Sequence, residues 1–268
     1  VSLWAMRELR RIEQAMIPYI LFKKRIDALG KEVAQFIKKD AKNAVPWNPK
    51  MKWREWMMIS ADSYNRWLGS RNLAPELRPT ENQVRKNMTP SEYISIPGTD
   101  MHYLNAILPK HTRLYTACGN RIGWVAFDGD VVIPSLRRGD GGRDKTWMSL
   151  TPMEIMTLRP GVTKARKHTV IAGLGLGHQL IDVTRKRTVK TVTLVERSKP
   201  LRNWVLPRIE RHLGDAKLYT LCGDARKILP GLTADVALTD IDDSYGNNEF
   251  HPETPNIPVR WVWGSAVI

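Results

Sequence analysis

Three alternating glycines, Gly173, Gly175 and Gly177 in GLGLG, follow the apolar run TVIA and precede HQLIDV, whose apolar residues recur at helical spacing. A strand that ends in such a turn and feeds a helix brings backbone N–H groups and the positive end of the helix to the carboxyl edge of a sheet. Acidic residues then close the next β-rich runs in order. Glu196, followed by Arg197, ends TVTLVE; Asp224, followed by Ala225, comes after KLYTLCG; Asp240 ends DVALTD and opens DIDDSYGNN, with Asp242, Asp243 and Tyr245. A carboxylate at a strand end can accept two hydrogen bonds at once. A Walker A loop is excluded, because neither its four-residue spacer nor its Gly-Lys-Ser/Thr is present. A dinucleotide fingerprint is disfavoured, since its third glycine would fall at position 178, which is His178. His178 itself reads as a capping or solvent-facing residue. The other histidines show no ligand spacing, so no metal is expected.

The elements that must position these residues are legible from 168 onward. TVIAG, TVTLVE, KLYTLCG, DVALTD and VRWVWG are short β-rich runs, and the first three are each followed by a helix-compatible stretch. This alternation predicts an α/β, Rossmann-like, doubly wound and mainly parallel sheet, shortened to about five strands. Before it, TRLYTACGNRIGWVAFDGDVVIP (112–134) reads as three strands, with turns at Gly119-Asn120 and at Asp128-Gly129, the second a hairpin signal. SLRRGDGGRDK (135–145) reads as a basic loop. TWMSLTPMEIMTLRP (146–160) reads as a helix capped near Ser149 or Thr151, with Pro152 and Glu154 in its first turn. Residues 71–110 carry little regular signal. Residues 2–43 have helical periodicity, and the tryptophan-rich segment 45–70 follows. Its tryptophans and basic residues fit either a nucleic-acid stacking surface or a buried helix face of Trp53, Trp56, Met57 and Trp67, and the spacing favours the buried face. Three regions result: a helical, basic extension (1–70), a linker with β-hairpins and a helix (71–160), and the Rossmann-like region (161–268).

A net charge of +15 points to polyanionic company, nucleic acid first, and the excess is spread along the whole chain. Two cysteines make neither a disulfide framework nor a metal cluster, which suits a reducing cytoplasm. The longest apolar run near the beginning, AMIPYILF, is too short to span a bilayer, so no membrane association is expected.

GxGxG after a first strand, followed by Glu196, Asp224 and Asp240 at successive strand ends, resembles class I S-adenosylmethionine-dependent methyltransferases. The resemblance covers roughly residues 112–268 and is most specific over 169–243. It implies S-adenosyl-L-methionine as cofactor, with Gly173, Leu174, Gly175 and Gly177 at its methionine end, Glu196 and Arg197 at the ribose, and Asp224 and Ala225 at the adenine. Asp240 would border both cofactor and acceptor, as catalytic base or amine acceptor, with Asp242, Asp243 and Tyr245 as further catalytic candidates. The layout of FDGD, a helix and GxGxG is similar to the spermidine synthases. The first motif here ends Gly-Leu-Gly rather than Gly-Asp-Gly, however, and no proline follows Asp243, so aminopropyl transfer is the alternative rather than the first reading. The acid and aromatic of Asp242-Asp243-Ser244-Tyr245 partly resemble the motif of amino-methylating DNA enzymes. The run from 146 to 243 also resembles a group of phage-encoded methyltransferase-like proteins, which would place the chain in a host cytoplasm. The acceptor could be nucleic acid or a small molecule. A third reading is a non-catalytic nucleic-acid-binding protein that keeps the fold. The open sheet edge is expected to be covered by the N-terminal helices or by a second copy of the chain.

Overall fold

The computed structural model describes residues 27–28, 31–35, 37, 43–52, 54–81, 92–118, 121–139, 145–241 and 252–263. Its centre is a five-stranded parallel sheet of β9 (Lys167–Ala172), β10 (Val189–Glu196), β11 (Lys217–Cys222), β12 (Val236–Thr239) and β13 (Val259–Val262), in the spatial order β11-β10-β9-β12-β13. The chain is thus a doubly wound α/β protein with the first strand, β9, in the middle and the strand order reversing beside it. β9 is Val/Ile-rich and buried from Thr169 to Ala172, as a strand covered on both faces must be. Ile171 faces the main apolar cluster, while Val170 and Ala172 face a second, smaller one with Ala225 and Leu229.

Two smaller sheets precede it. One holds β1 (Trp56–Ile59), β6 (Arg121–Phe127) and β5 (Leu114–Cys118); the other holds β2 (Thr80–Glu81), β3 (Ile94–Ser95), β4 (Met101–Leu108), β7 (Val131–Arg138) and β8 (Lys145–Ser149). The helices are α1 (Ala61–Gly69), α2 (Pro152–Lys164), α3 (His178–Thr184), α4 (Lys199–Ile209) and α5 (Ala225–Ile228). One apolar cluster runs through both parts, from Trp47 and Tyr64 to Leu194 and Trp263.

Several elements differ from the sequence expectation. The tryptophan-rich segment forms a strand, not one helix: Trp56–Ile59 runs parallel to β6, and α1 begins only after the Ser60 cap. Met57, Met58 and Ile59 are buried in succession, so the strand is covered on both faces and the three-residue tryptophan spacing only imitates a helix. Trp47 and Trp67 pack around Tyr64, and Trp53 lies outside the described residues. The Asp128-Gly129 turn closes no hairpin, since β6 and β7 belong to different sheets. Instead the Asp128 carboxylate accepts from the Ala61 N–H at 2.7 Å and ties the turn to the β1–α1 junction.

The basic loop is strand through Arg138, and Lys145–Ser149 is β8, paired with β7, rather than the start of a helix. α2 starts at Pro152 after the Thr151 cap and continues through Pro160 to Lys164. β4 lies in the stretch 71–110, whose sequence carries little regular signal. It is an eight-residue strand whose polar Asn105 is satisfied internally, its amide donating to the carbonyls of Ala74 (3.0 Å) and Leu77 (3.2 Å). Of the helical reading of residues 2–43, residues 27–28, 31–35 and 37 are helical and most of the rest lies outside the described residues.

Candidate functional site

The carboxyl ends of β9, β10, β11 and β12 open into one cleft at the point where the strand order reverses, the usual ligand position in open α/β sheets. Gly173, Leu174 and Gly175 form one wall together with Glu196, Arg197 and Ser198; Asp224, Ala225 and Arg226 come from the start of α5, and Asp240 from the end of β12. Met101, Trp147, Met148, Glu154 and Trp263 complete the lining.

The glycine turn is glycine for steric reasons. Gly173 has φ +94°, and a Cβ there would overlap the Asp240 carbonyl oxygen. At Gly175, φ +50°, the space of a Cβ is filled by the Met148 thioether, whose sulfur accepts from the Leu176 N–H at 3.1 Å. Glu196 is buried, and both its oxygens are engaged: Oε2 accepts from the Leu174 N–H at 2.9 Å and Oε1 from the Ser198 N–H at 2.7 Å. One carboxylate therefore clamps the turn after β9 to the start of α4. Each of its oxygens keeps one further acceptor position. The Leu174 amide of the glycine turn is already bonded to an anion belonging to the protein, which disfavours a pyrophosphate in the same place.

Asp224 caps α5, accepting from the Arg226 N–H at 3.0 Å, and its carboxylate borders the cleft. Asp240 enters through the β9–β12 ladder, with its N–H donating to the Ala172 carbonyl at 2.9 Å. The cleft thus brings together Gly173, Leu174, Gly175, Glu196, Arg197, Asp224, Ala225 and Asp240 of the sequence-based set. Gly177 stands apart, capping α3 and lying against Ile209 and Val205 of α4. Asp242, Asp243 and Tyr245 lie outside the described residues.

His178 is neither capping nor solvent-facing. It is buried beneath the turn, edge-on to Trp67 at 5.6 Å, with Nε2 3.7 Å from Asp182. Asp182 in turn pairs with Arg71 at 2.8 Å. The reason is α1, which packs over the first turn of α3 and takes the solvent away. Burial pushes the imidazole down to about 4, against the partial opposition of Asp182.

Glu154 is the residue the sequence did not single out. Thr151-Pro-Met-Glu154 reads as a capping box, in which the glutamate would turn back to its own helix end. Here Thr151 does cap α2, but the Glu154 side chain is only 9% exposed, lines the cleft and has no hydrogen-bond partner among the described residues. Burial first, and the Asp240 charge second, hold its carboxyl well above the usual carboxylate range. Among the described residues no group of three His, Cys, Asp or Glu is placed to hold a metal ion, and no helix is long and apolar enough to cross a membrane.

No protein-family model matches the chain, and no curated protein does. Solved structures give a distant likeness. Spermidine synthase from Thermotoga maritima aligns at 16% identity over 51% of this chain and 56% of its own, with a TM-score of 0.29. Precorrin 8W decarboxylase from Methanobacterium thermoautotrophicum aligns at 21% identity over 31% and 44%, with a TM-score of 0.26. The Δ1-pyrroline-2-carboxylate reductase of Thermococcus litoralis, solved with NADH and L-proline, aligns at 14% identity over 68% and 58%, with a TM-score of 0.26. The chain spans about half the length of these proteins. They are enzymes with Rossmann-like folds, and a likeness of this degree carries no argument about activity.

Proposed function

We propose that the chain is an S-adenosylmethionine-dependent methyltransferase whose cofactor lies in the cleft at the ends of β9 to β12. The observation that supports this most is the Glu196 carboxylate on the Leu174 N–H. It puts negative charge where a dinucleotide would bring its pyrophosphate, and it leaves acceptor positions for a ribose diol. Glu196, Asp224 and Asp240 together favour a ligand carrying a sulfonium and an amino group over a polyanion. In this reading Gly173 and Gly175 adjoin the methionine end, Glu196 takes the ribose hydroxyls, and Asp224 with Ala225 borders the adenine.

When bound, the cofactor would supply a methyl group activated by its sulfonium, the electron pair of the C–S bond being left on sulfur. The chain's part is to place the acceptor in line and to take the proton it loses. Asp240 is the group for that proton. The net charge of +15, with Arg197 and Arg226 at the same cleft, opposes a polycationic acceptor and sets methyl transfer ahead of aminopropyl transfer. Calorimetric titration with S-adenosylmethionine, S-adenosylhomocysteine and NAD tests the reading: the two sulfur nucleosides bind and NAD does not. Binding of NAD alone, or of none of the three, sinks it.

A further inference from the structure

A parallel sheet has two different edges, and in this chain they carry opposite charge. Glu154, Glu196, Asp224 and Asp240 line the cleft at the carboxyl ends of the strands. At the amino ends, the connections that enter β9, β10 and β11 read VTKARK (162–167), TRKRTVK (184–190) and ERHLGDAK (210–217). β11, β10 and β9 are neighbours in the sheet, with Lys167 beside Val189 and Lys217 beside Thr191, so the three connections lie side by side.

They are also fastened to one another. The Lys167 N–H donates to the Thr188 carbonyl at 2.6 Å, and the Lys186 ammonium donates to the carbonyls of Val162 (2.6 Å) and Thr163 (2.8 Å) at the end of α2. The Arg185 guanidinium donates to the His212 carbonyl at 2.7 Å, and the Gly214 N–H to Thr184 Oγ1 at 3.0 Å. The edge is one fixed face rather than three separate loops.

Cations near helix ends ordinarily answer the last carbonyls, and Lys186 and Arg185 are used in that way. Lys164, Arg166, Arg187 and Lys190 are not. All four are exposed, and none has a side-chain partner among the described residues. Glu210 and Asp215 are the acids of the three connections, and Asp235 at the head of β12 is already engaged by the His168 N–H (3.1 Å) and by Lys167 (3.9 Å). The positive field acts on His212, whose imidazole is pushed down by burial first and then by Arg211, Arg185 and Arg71. On the same side of β11 as Lys217, Tyr219 is 46% exposed, and the Lys217 ammonium lies 4.8 Å from its ring centroid.

Unpaired cations on a fixed face suit a partner with repeated negative charges. A lipid surface would also need large apolar side chains to bury, and none of the three connections exposes one among the described residues. A duplex offers phosphates but hides the faces of its bases. A single strand offers both, and an exposed ring beside a lysine suits a base.

We propose that the amino edge of the sheet binds single-stranded nucleic acid, with phosphates on Lys164, Arg166, Arg187 and Lys190 and a base stacked on Tyr219. Strands of six residues such as β9 and β11 put about 20 Å between this face and the cleft. The face is an anchor, separate from whatever the cleft binds. The chain can thus hold a polyanion at one edge and keep carboxyl groups around a cleft at the other.

The test titrates the full chain into a fluorescent oligodeoxythymidylate of about 15 nucleotides at several salt concentrations. Four phosphate contacts on a single strand give a slope of log K against log salt of about −3. The pair Arg187→Gln and Lys190→Gln removes two of them, which lowers affinity about tenfold or more near 0.1 M salt and flattens the slope by about 1.4. Tyr219→Ala lowers affinity about fivefold or more and leaves the slope unchanged, because stacking releases no counterion. The pair Lys199→Gln and Lys227→Gln makes the same change in net charge at the starts of α4 and α5, on the carboxyl edge, and holds affinity within about twofold. All the replaced side chains are exposed, so thermal unfolding of the variants matches the wild type.

An equal loss in the Lys199 and Lys227 variant overturns the proposal, since binding would then follow net charge or the cleft. So does an unchanged slope in the Arg187 and Lys190 variant, or full affinity in Tyr219→Ala. Failure of the wild type to bind the oligomer, or preference for a duplex or for phosphatidylserine vesicles over it, also overturns the proposal.

Discussion

Two buried glutamates line the cleft, and they are used in opposite ways. On the glycine-turn side, Glu196 is 8% exposed and both of its oxygens accept backbone N–H groups. On the α2 side, Glu154 is 9% exposed, and its carboxyl has no hydrogen-bond partner among the described residues. Nearly equal burial thus gives one carboxylate that belongs to the architecture and one group left for a ligand. Glycine turn, Glu196 and α4 form a rigid seat. Glu154 borders the same cleft beside Trp147 and Trp263, and its carboxyl accepts from no group among the described residues. A buried polar group without a partner is costly, and such a cost is retained where a function uses it.

The contrast is broken most violently at Gly173. Gly173→Ala puts a Cβ into the Asp240 carbonyl at a positive φ, so the turn and β12 must part. A loss of about 3 kcal/mol or more is expected in urea denaturation, at the upper end for backbone strain plus overlap.

Next in size is His178, under the same turn. Its folded pKa, about 4, lies below the ordinary value of 6.5, so folding holds the neutral ring. The unfolded chain therefore binds the proton more readily. The contribution is fully present above pH 6.5 and is lost as the pH falls toward 4, about 3 kcal/mol across that window. Urea midpoints of the wild type measured between pH 7 and 4.5 fall more steeply than those of His178→Gln.

Glu196→Ala follows. It strips the Leu174 and Ser198 amides of their acceptor, costing about 1–3 kcal/mol, and weakens S-adenosylhomocysteine at least tenfold by calorimetry.

The smallest effect is at the other glutamate. Glu154→Leu removes a buried carboxyl with no partner to orphan, so thermal unfolding is unchanged within about 1 kcal/mol or moves upward. The pH dependence has the reverse sign to that of His178. Because the folded pKa of Glu154 is raised, its stability contribution is fully present below the ordinary carboxylate value and is lost as the pH rises through the raised one; Glu154→Leu removes that decline.

What could be read from the sequence follows the same division. β9, β10 and β12 announce themselves because strands buried on both faces need continuous apolar runs, while β11 is exposed along most of its length and is legible from its Leu and Tyr residues alone; Glu196, Asp224 and Asp240 are found because they sit where such runs stop. Glu154 is hidden behind a capping-box pattern that fits its position and not its side chain. Trp147 and Met148 are hidden because β8 owes its strand form to pairing with β7, a contact made across the chain rather than along it. The same non-local pairing decides β4, whose His102 and Asn105 interrupt the apolar pattern, and β1, whose tryptophans mimic a helical period. Asp128-Gly129 is a turn as its residues demand; whether the strands beside it pair depends on the β1–α1 junction that it caps.

The most direct test of the division is a side-by-side calorimetric titration of S-adenosylhomocysteine into the wild type, Glu196→Ala and Glu154→Leu. The cleft described here predicts tight binding to the wild type, a loss of about tenfold or more in Glu196→Ala, and no change beyond about twofold in Glu154→Leu. Equal losses in both variants, or undiminished binding in Glu196→Ala, would contradict it.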